Sequence, residues 1–246
     1  MIGVNRRPEM VSPDVCAVIL AGGVATRFGR VAQILPKCFL PVSGDETLLT
    51  RMLNQLQEGG FTRAVVSTSP QWVPVFEALI ARYRDICGCD VRVLSNPAHT
   101  AGPLAALSVA AAQITERRLL LCLPDIFFEA SPFPALAAAD AEEVLCGCQA
   151  QGWENLPASG FLSLAGTEVA ALAYHSDARP DAYWPGIALF RRAGPVALLD
   201  PAIPADAPIE TLFSEALARG VRFAFQPCGP FENINTADRW RRLVQR

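Results

Sequence analysis

Lysine is almost missing from this chain: of its 21 lysine and arginine residues, only Lys37 is a lysine. Positive positions accept arginine nearly everywhere, so the lone lysine marks a place that calls for a compact ammonium rather than a wide planar fork. An excess of positive charge is also missing. The formal net charge is −3, which argues against general affinity for nucleic acid. No run of about 18 apolar residues occurs, so no membrane span is expected. The eight cysteines lack zinc-knuckle spacing, because Cys87-Gly-Cys89 and Cys146-Gly-Cys148 enclose a single residue each. Cys16 and Cys122 sit in apolar strand-like runs, where a free thiol acts as a small hydrophobe. Reduced thiols are expected. Residues 1–14 contain Arg6 and Arg7 and lack the apolar centre of a signal peptide. They read as a flexible leader, and the expected location is the cytoplasm.

What is present is concentrated between residues 16 and 41. Val15 to Leu20 has the length and β-branched content of a buried parallel strand. It runs into Ala21-Gly22-Gly23, where missing side chains let a backbone pass close to a ligand. Successive backbone N–H groups in such a turn can form an anion-binding nest. Arg27 and then Pro36-Lys37 follow. A glycine turn at a strand's carboxyl end, followed by two cations, is suited to holding a triphosphate; the plain alternative is a β-turn with two surface cations.

The rest of the chain alternates between two periods. Helical spacing covers Thr47 to Glu58, with Gly59-Gly60 as the stop, Trp72 to Arg84, and Pro103 to about Ile114, with Pro103 suited to a first turn. Strand-like runs cover Ala64 to Thr68, Val91 to Leu94 and Leu119 to Leu123. Beyond these come a helix from Phe133 to Ala139 and strands at Val144 to Cys148, Phe161 to Leu164, Val169 to Tyr174, Ile187 to Phe190 and Val221 to Phe225. Helices follow at Ile209 to Ala218 and from Thr236 or Ala237 onward. This pattern predicts an α/β fold, Rossmann-like, with a mostly parallel sheet, helices on both faces and a small added β region at 149–185. Residues 1–246 read as a single domain.

In an open α/β sheet, ligands bind beyond the carboxyl ends of the strands. Two features end strands there: the glycine turn after Leu20, and Asp125 after Leu119 to Leu123. A carboxylate at the tip of so apolar a strand needs a partner. A divalent metal would explain it, and so would a helix-capping or turn aspartate.

Leu20-Ala-Gly-Gly-x-x-x-Arg27, followed by Leu35-Pro-Lys37-x-Phe-Leu-Pro41, resembles the signature of the sugar-1-phosphate nucleotidyltransferases (sugar-nucleotide pyrophosphorylases). It is neither a dinucleotide fingerprint nor a Walker A loop. The resemblance implies an enzyme with a nucleoside triphosphate and a sugar 1-phosphate as substrates and Mg2+ as cofactor. No nucleic acid or membrane partner is implied, and a homo-oligomer is left open. Leu20, Ala21, Gly22 and Gly23 would hold the nucleotide, Arg27 and Lys37 would neutralise its phosphates, and Asn96 and Gly102 would lie against the base. Asp125 resembles the family's metal-binding aspartate. The second metal ligand would be Asn233, in Phe231-Glu-Asn-Ile-Asn-Thr-Ala-Asp-Arg-Trp240, where many members carry aspartate; Glu232 and Asn235 are adjacent alternatives. Members commonly carry a Glu-Lys-Pro run before a Gly-Ile strand. Here Gly186-Ile187 is present and no lysine precedes it. Gly186, His175 and Arg179 are then the acceptor-side candidates. Other acceptors (an alcohol phosphate, a phosphonate, a molybdopterin) and a silent ligand-sensing homologue are the competing readings.

Overall fold

The computed structural model describes residues 14–23, 26–28, 34–84, 89–149, 160–174, 179–199 and 203–246. Its strands are β1 (Val15–Leu20), β2 (Pro41–Ser43), β3 (Glu46–Thr47), β4 (Arg63–Thr68), β5 (Asp90–Ser95), β6 (Arg118–Cys122) and β7 (Ile126–Phe128). In the second half come β8 (Val144–Gln149), β9 (Gly160–Ala165), β10 (Glu168–Ala173), β11 (Ala182–Trp184), β12 (Ile187–Arg191), β13 (Ala224–Pro227) and β14 (Phe231–Asn233). The helices are α1 (Leu48–Glu58), α2 (Val73–Arg84), α3 (Pro103–Ala112), α4 (Phe133–Ala137), α5 (Glu210–Ala218) and α6 (Ala237–Val244).

β1 is apolar throughout because both of its faces are covered. Val15, Ala17 and Ile19 enter one core cluster, with Leu49, Met52, Leu53 and Leu56 of α1 and Phe76 and Ile80 of α2. Cys16, Val18 and Leu20 enter the other, with Leu104 and Leu107 of α3 and Leu212 and Phe213 of α5. Helices therefore cover both faces. Truncating a buried leucine in either layer to alanine costs about 2–5 kcal/mol. α1 starts at Thr47, whose hydroxyl accepts the Thr50 N–H while the Thr50 hydroxyl accepts the Thr47 N–H, a reciprocal cap for two otherwise orphaned donors.

The large sheet runs β11-β9-β10-β13-β8-β12-β6-β1-β4-β5. β5, β4, β1 and β6 are parallel, and β13 is parallel to β8. The parallel part is narrower than the alternation of strands and helices predicts. β12 runs antiparallel to both β6 and β8, and β9 and β10 form an antiparallel pair. Their link is the short Gly166-Thr167 turn, with Gly166 at φ +66°, too short for a crossover helix. β9, β10 and β11 are the added β region, joined to the main sheet through β13 and β8.

From β1 the chain moves outward to β4 and β5, then returns to place β6 on the other side of β1. Strand order thus reverses between β1 and β6, and a crevice opens beyond their carboxyl ends. A small strand pairing and a further core cluster frame it. β7 and β14 pair antiparallel, with Asn233 opposite Ile126. A third cluster (Phe28, Leu40, Val42, Leu48, Ile234 and Leu243) ties the loop after β1 to the C-terminal helix. The expected strand Val221 to Phe225 begins only at Ala224. Val221 N–H instead bonds Ala216 O, closing the end of α5 after Gly220.

Candidate active site

The backbone beyond β1 stays tied to the sheet by one further bond, Ala21 N–H to Ser67 O at 2.7 Å. Past that point Gly22 and Gly23 leave the sheet, and the short helical turns Thr26–Phe28 and Lys37–Phe39 follow. Phe28, Cys38 and Phe39 are buried, and they fix the turns that carry Arg27 and Lys37. Burial pushes the Cys38 thiol up to about 12, so it anchors by packing and not as a thiolate.

β6 ends at Cys122, and Leu123-Pro124 leads to Asp125, the residue just before β7. Lys37 Nζ lies 2.6 Å from Asp125 Oδ2 and 3.5 Å from Asn235 Oδ1. The same ammonium sits 5.8 Å from the centroid of the Phe28 ring. The C-terminal segment reaches this point because β14 pairs with β7 and Ile234 N–H bonds Asp125 O at 2.8 Å. Asn233 is buried at the end of β14, and its carbonyl accepts from Arg239. Thr236 accepts the Arg239 N–H and caps α6, so one segment both supplies the site and starts the last helix.

Three adjoining cavities meet here, and Gly23 and Leu123 line all of them. A cavity of about 140 Å³ lies against Leu20, Ala21, Lys37 and Asp125. One of about 280 Å³ lies between Gly22, Ser67, Asn96, His99 and Gly102. The largest of the three, about 530 Å³, is lined by Arg27, Lys37, Asp125, Asn233 and Asn235 together with Tyr174, Asp206 and Glu210. Gly102 makes the closure possible. Its φ is +114°, and a Cβ there would stand 2.7 Å from Asp206 Cα, so a side chain is excluded by conformation and by space.

Three expected residues sit differently from their sequence roles. Asn96 lines the middle cavity, but its amide already donates to Ser67 Oγ (2.8 Å) and Ala106 O (2.9 Å) and accepts from Ala98 N–H (3.0 Å). Both amide hydrogens are committed to holding the loop, which leaves none for a base edge. Gly186 is buried with φ +77°, and a Cβ there would stand 2.9 Å from Leu123 Cβ. It supports the cavity wall from behind. Arg179 is exposed and stands outside the residues lining the largest cavity; His175 lies outside the described residues. No sequence motif marks Ser67, His99, Tyr174, Asp206 or Glu210, which line these cavities. Asp206 and Glu210 lie in and just after the proline-bearing stretch Pro204-Ala-Asp-Ala-Pro208, which carries no pattern that marks a site.

Residues 17–183 match the family described as the MobA-like NTP transferase domain. Over 81 residues the chain is 37% identical to a protein from Thermococcus kodakarensis named bifunctional IPC transferase and DIPP synthase; the match covers 33% of this chain and 17% of that protein. Among solved structures, a Bacillus anthracis protein assigned as a glucose-1-phosphate thymidylyltransferase superposes with a TM-score of 0.78 at 16% identity, over 94% of each chain. The inositol-1-phosphate CTP transferase of T. maritima superposes with a TM-score of 0.77 at 14% identity, again over 94% of each chain. The chain belongs to the MobA-like NTP transferase family.

Proposed function

We propose that the protein transfers a nucleoside monophosphate from a nucleoside triphosphate to the phosphate of a sugar 1-phosphate, giving a nucleoside diphosphate sugar and pyrophosphate. The observation that carries this reading is the Lys37–Asp125 pair, 2.6 Å apart, which lines both the smallest and the widest of the three cavities, while the base-sized cavity adjoins them at Gly23 and Leu123. A nucleoside in the middle cavity would set its α-phosphate beside Gly23 and Lys37. An acceptor in the larger cavity would approach that phosphate from the other side.

The reaction needs no covalent enzyme intermediate. An anionic oxygen of the acceptor phosphate attacks the α-phosphorus, the bond from that phosphorus to the bridging oxygen breaks, and pyrophosphate leaves with the electron pair. The chain's contribution is positioning and charge neutralisation. Backbone N–H groups at Gly22 and Gly23 face the phosphates, Arg27 meets the outgoing pyrophosphate, and Lys37 meets the α-phosphate. Ser67 and His99 lie with Leu20 and Gly102 in the base cavity.

The donor set fits magnesium. Oxygens of Asp125 and Asn235 already converge on a cation, the Lys37 ammonium. Among the described residues no group of three or more His, Cys, Asp or Glu forms a metal cage, which suits an ion that keeps phosphate oxygens and water. Asp125 with Asn233 or Asn235 would hold the ion, and when bound it would neutralise charge on the triphosphate.

Inositol 1-phosphate, the phosphorylated cyclic polyol in the name of one fold relative, is a second candidate acceptor. Pyrophosphate release tests the reading, with each common nucleoside triphosphate offered in turn with glucose 1-phosphate and inositol 1-phosphate. Release that requires both the triphosphate and one of these acceptors supports it. Release with neither acceptor overturns it.

A further inference from the structure

One buried group in the 530 Å³ cavity of the site has no part in the chemistry above. Glu210 opens α5, is 7% exposed, and lines the cavity beside Asp206 and Tyr174. Among the described residues no lysine or arginine forms an ion pair with its carboxylate. A carboxylate at this depth without a cation is costly unless something completes its hydrogen bonds. The helix it starts is held rigidly, since Leu212, Phe213 and Ala216 are all fully buried. The cavity's cations are Arg27 and Lys37, and Lys37 is already paired to Asp125. Glu210, the first residue of α5, and Asp206 just before that helix add carboxylates to the lining. A phosphate is repelled there, so an acceptor must turn its other end toward α5.

We propose that Glu210 is a specificity residue of the acceptor subsite, accepting hydrogen bonds from two neighbouring hydroxyls of a sugar or polyol ring. This rests on the transfer reaction proposed above. A carboxylate offers two oxygens with fixed spacing, and vicinal hydroxyls offer two donors at matching spacing. A neutral diol satisfies them without the dehydration that a compact, strongly hydrated ammonium would require. The cavity, at about 530 Å³, has the size of a small-molecule site. A site built to bond a hydroxyl discriminates strongly against the analogue that lacks it, because its own polar group is left unpaired.

The test uses the full chain with magnesium and measures kcat and KM by pyrophosphate release. The acceptors are glucose 1-phosphate, its monodeoxy analogues, inositol 1-phosphate and phosphoethanolamine. Parent, E210Q, E210D and E210A are compared, with a melting curve for each. Expected is a rise of about tenfold or more in acceptor KM for E210Q, with the triphosphate KM within about twofold. The parent's penalty against one deoxy analogue should shrink in E210Q and return in part in E210D, which keeps the charge on a shorter stem. An unchanged acceptor KM and an unchanged deoxy penalty in folded E210Q overturn the proposal while leaving the reaction standing. So does a parent that prefers phosphoethanolamine and loses that preference in E210Q. A parent that releases pyrophosphate with no acceptor overturns the reaction, and the role of Glu210 with it.

Discussion

Lys37 and Asp125 are 88 residues apart in sequence and 2.6 Å apart in space. They are held by different devices, Lys37 by a helical turn anchored on buried Cys38 and Phe39, and Asp125 by the β7–β14 ladder. Both side chains are about one-fifth exposed. The pair is therefore reachable by a ligand and still only partly screened by water.

Replacing Lys37 by arginine separates charge from shape. The positive charge survives, but the guanidinium is wider and prefers paired oxygens. A group that stabilises developing charge is worth about 3 kcal/mol, roughly a hundredfold in rate. K37R is expected to lose kcat on that order, with triphosphate KM changed less. K37A should lose at least as much and also melt lower, because it leaves Asp125 without its cation. Steady-state kinetics and melting curves read both effects.

D125N is expected to lose most magnesium-dependent turnover while keeping its fold. Its main-chain carbonyl still accepts from Ile234 N–H, so the ladder that holds the C-terminal segment persists. The check is turnover as a function of magnesium concentration beside a melting curve. Full activity at ordinary magnesium would remove Asp125 from the metal site.

Gly102 should tolerate no side chain. With φ +114° and Asp206 Cα 2.7 Å from a Cβ, G102A is expected to cost roughly 1–3 kcal/mol. Because Gly102 lines the middle cavity, proposed above to hold the base, the triphosphate KM of G102A should rise as well. Urea unfolding and kinetics on the same preparation test the two parts together.

Glu210 gives a pH dependence of defined sign. Burial pushes its carboxyl above the ordinary range, opposed by a bond from its own backbone N–H. The folded chain then keeps this proton at pH values where the unfolded chain has released it. Stability from this group is present at low pH and falls as pH rises from about 4.3 through the raised folded value. The unfolding free energy of E210Q relative to parent should therefore increase across that window and level off above it. Arg27, Lys37, Asp125, Tyr174 and Asp206 line the same cavity and are common to both proteins, so the difference isolates Glu210. A difference that does not vary with pH would contradict the direction.

Much of this was legible because physics wrote it locally. Val15 to Leu20 reads as a strand since both of its faces need apolar residues, and α1 ends where Gly59-Gly60 ends its pattern. The glycine turn, Arg27, Lys37 and Asp125 all announce strand ends or loops with charge. What stayed hidden depends on partners far away in sequence. β7 and β14 are three residues each, too short to show a period, and their pairing is what brings Asn233 and Asn235 to Asp125. The amide of Asn96 turns inward because Ser67 and Ala106 are there to receive it. Asp206 and Glu210 enter the cavity only because α5 docks on the second core.

The most direct measurement follows a single oxygen. An acceptor phosphate is labelled with heavy oxygen in its nonbridging positions and incubated with the triphosphate, magnesium and the parent enzyme. In-line attack at the α-phosphorus predicts a sugar nucleotide that retains all of the label, one labelled oxygen having become the bridge, and pyrophosphate that carries none. Label in a pyrophosphorylated acceptor, or an unlabelled nucleoside monophosphate carrying oxygen from solvent, would contradict nucleotidyl transfer to the acceptor phosphate.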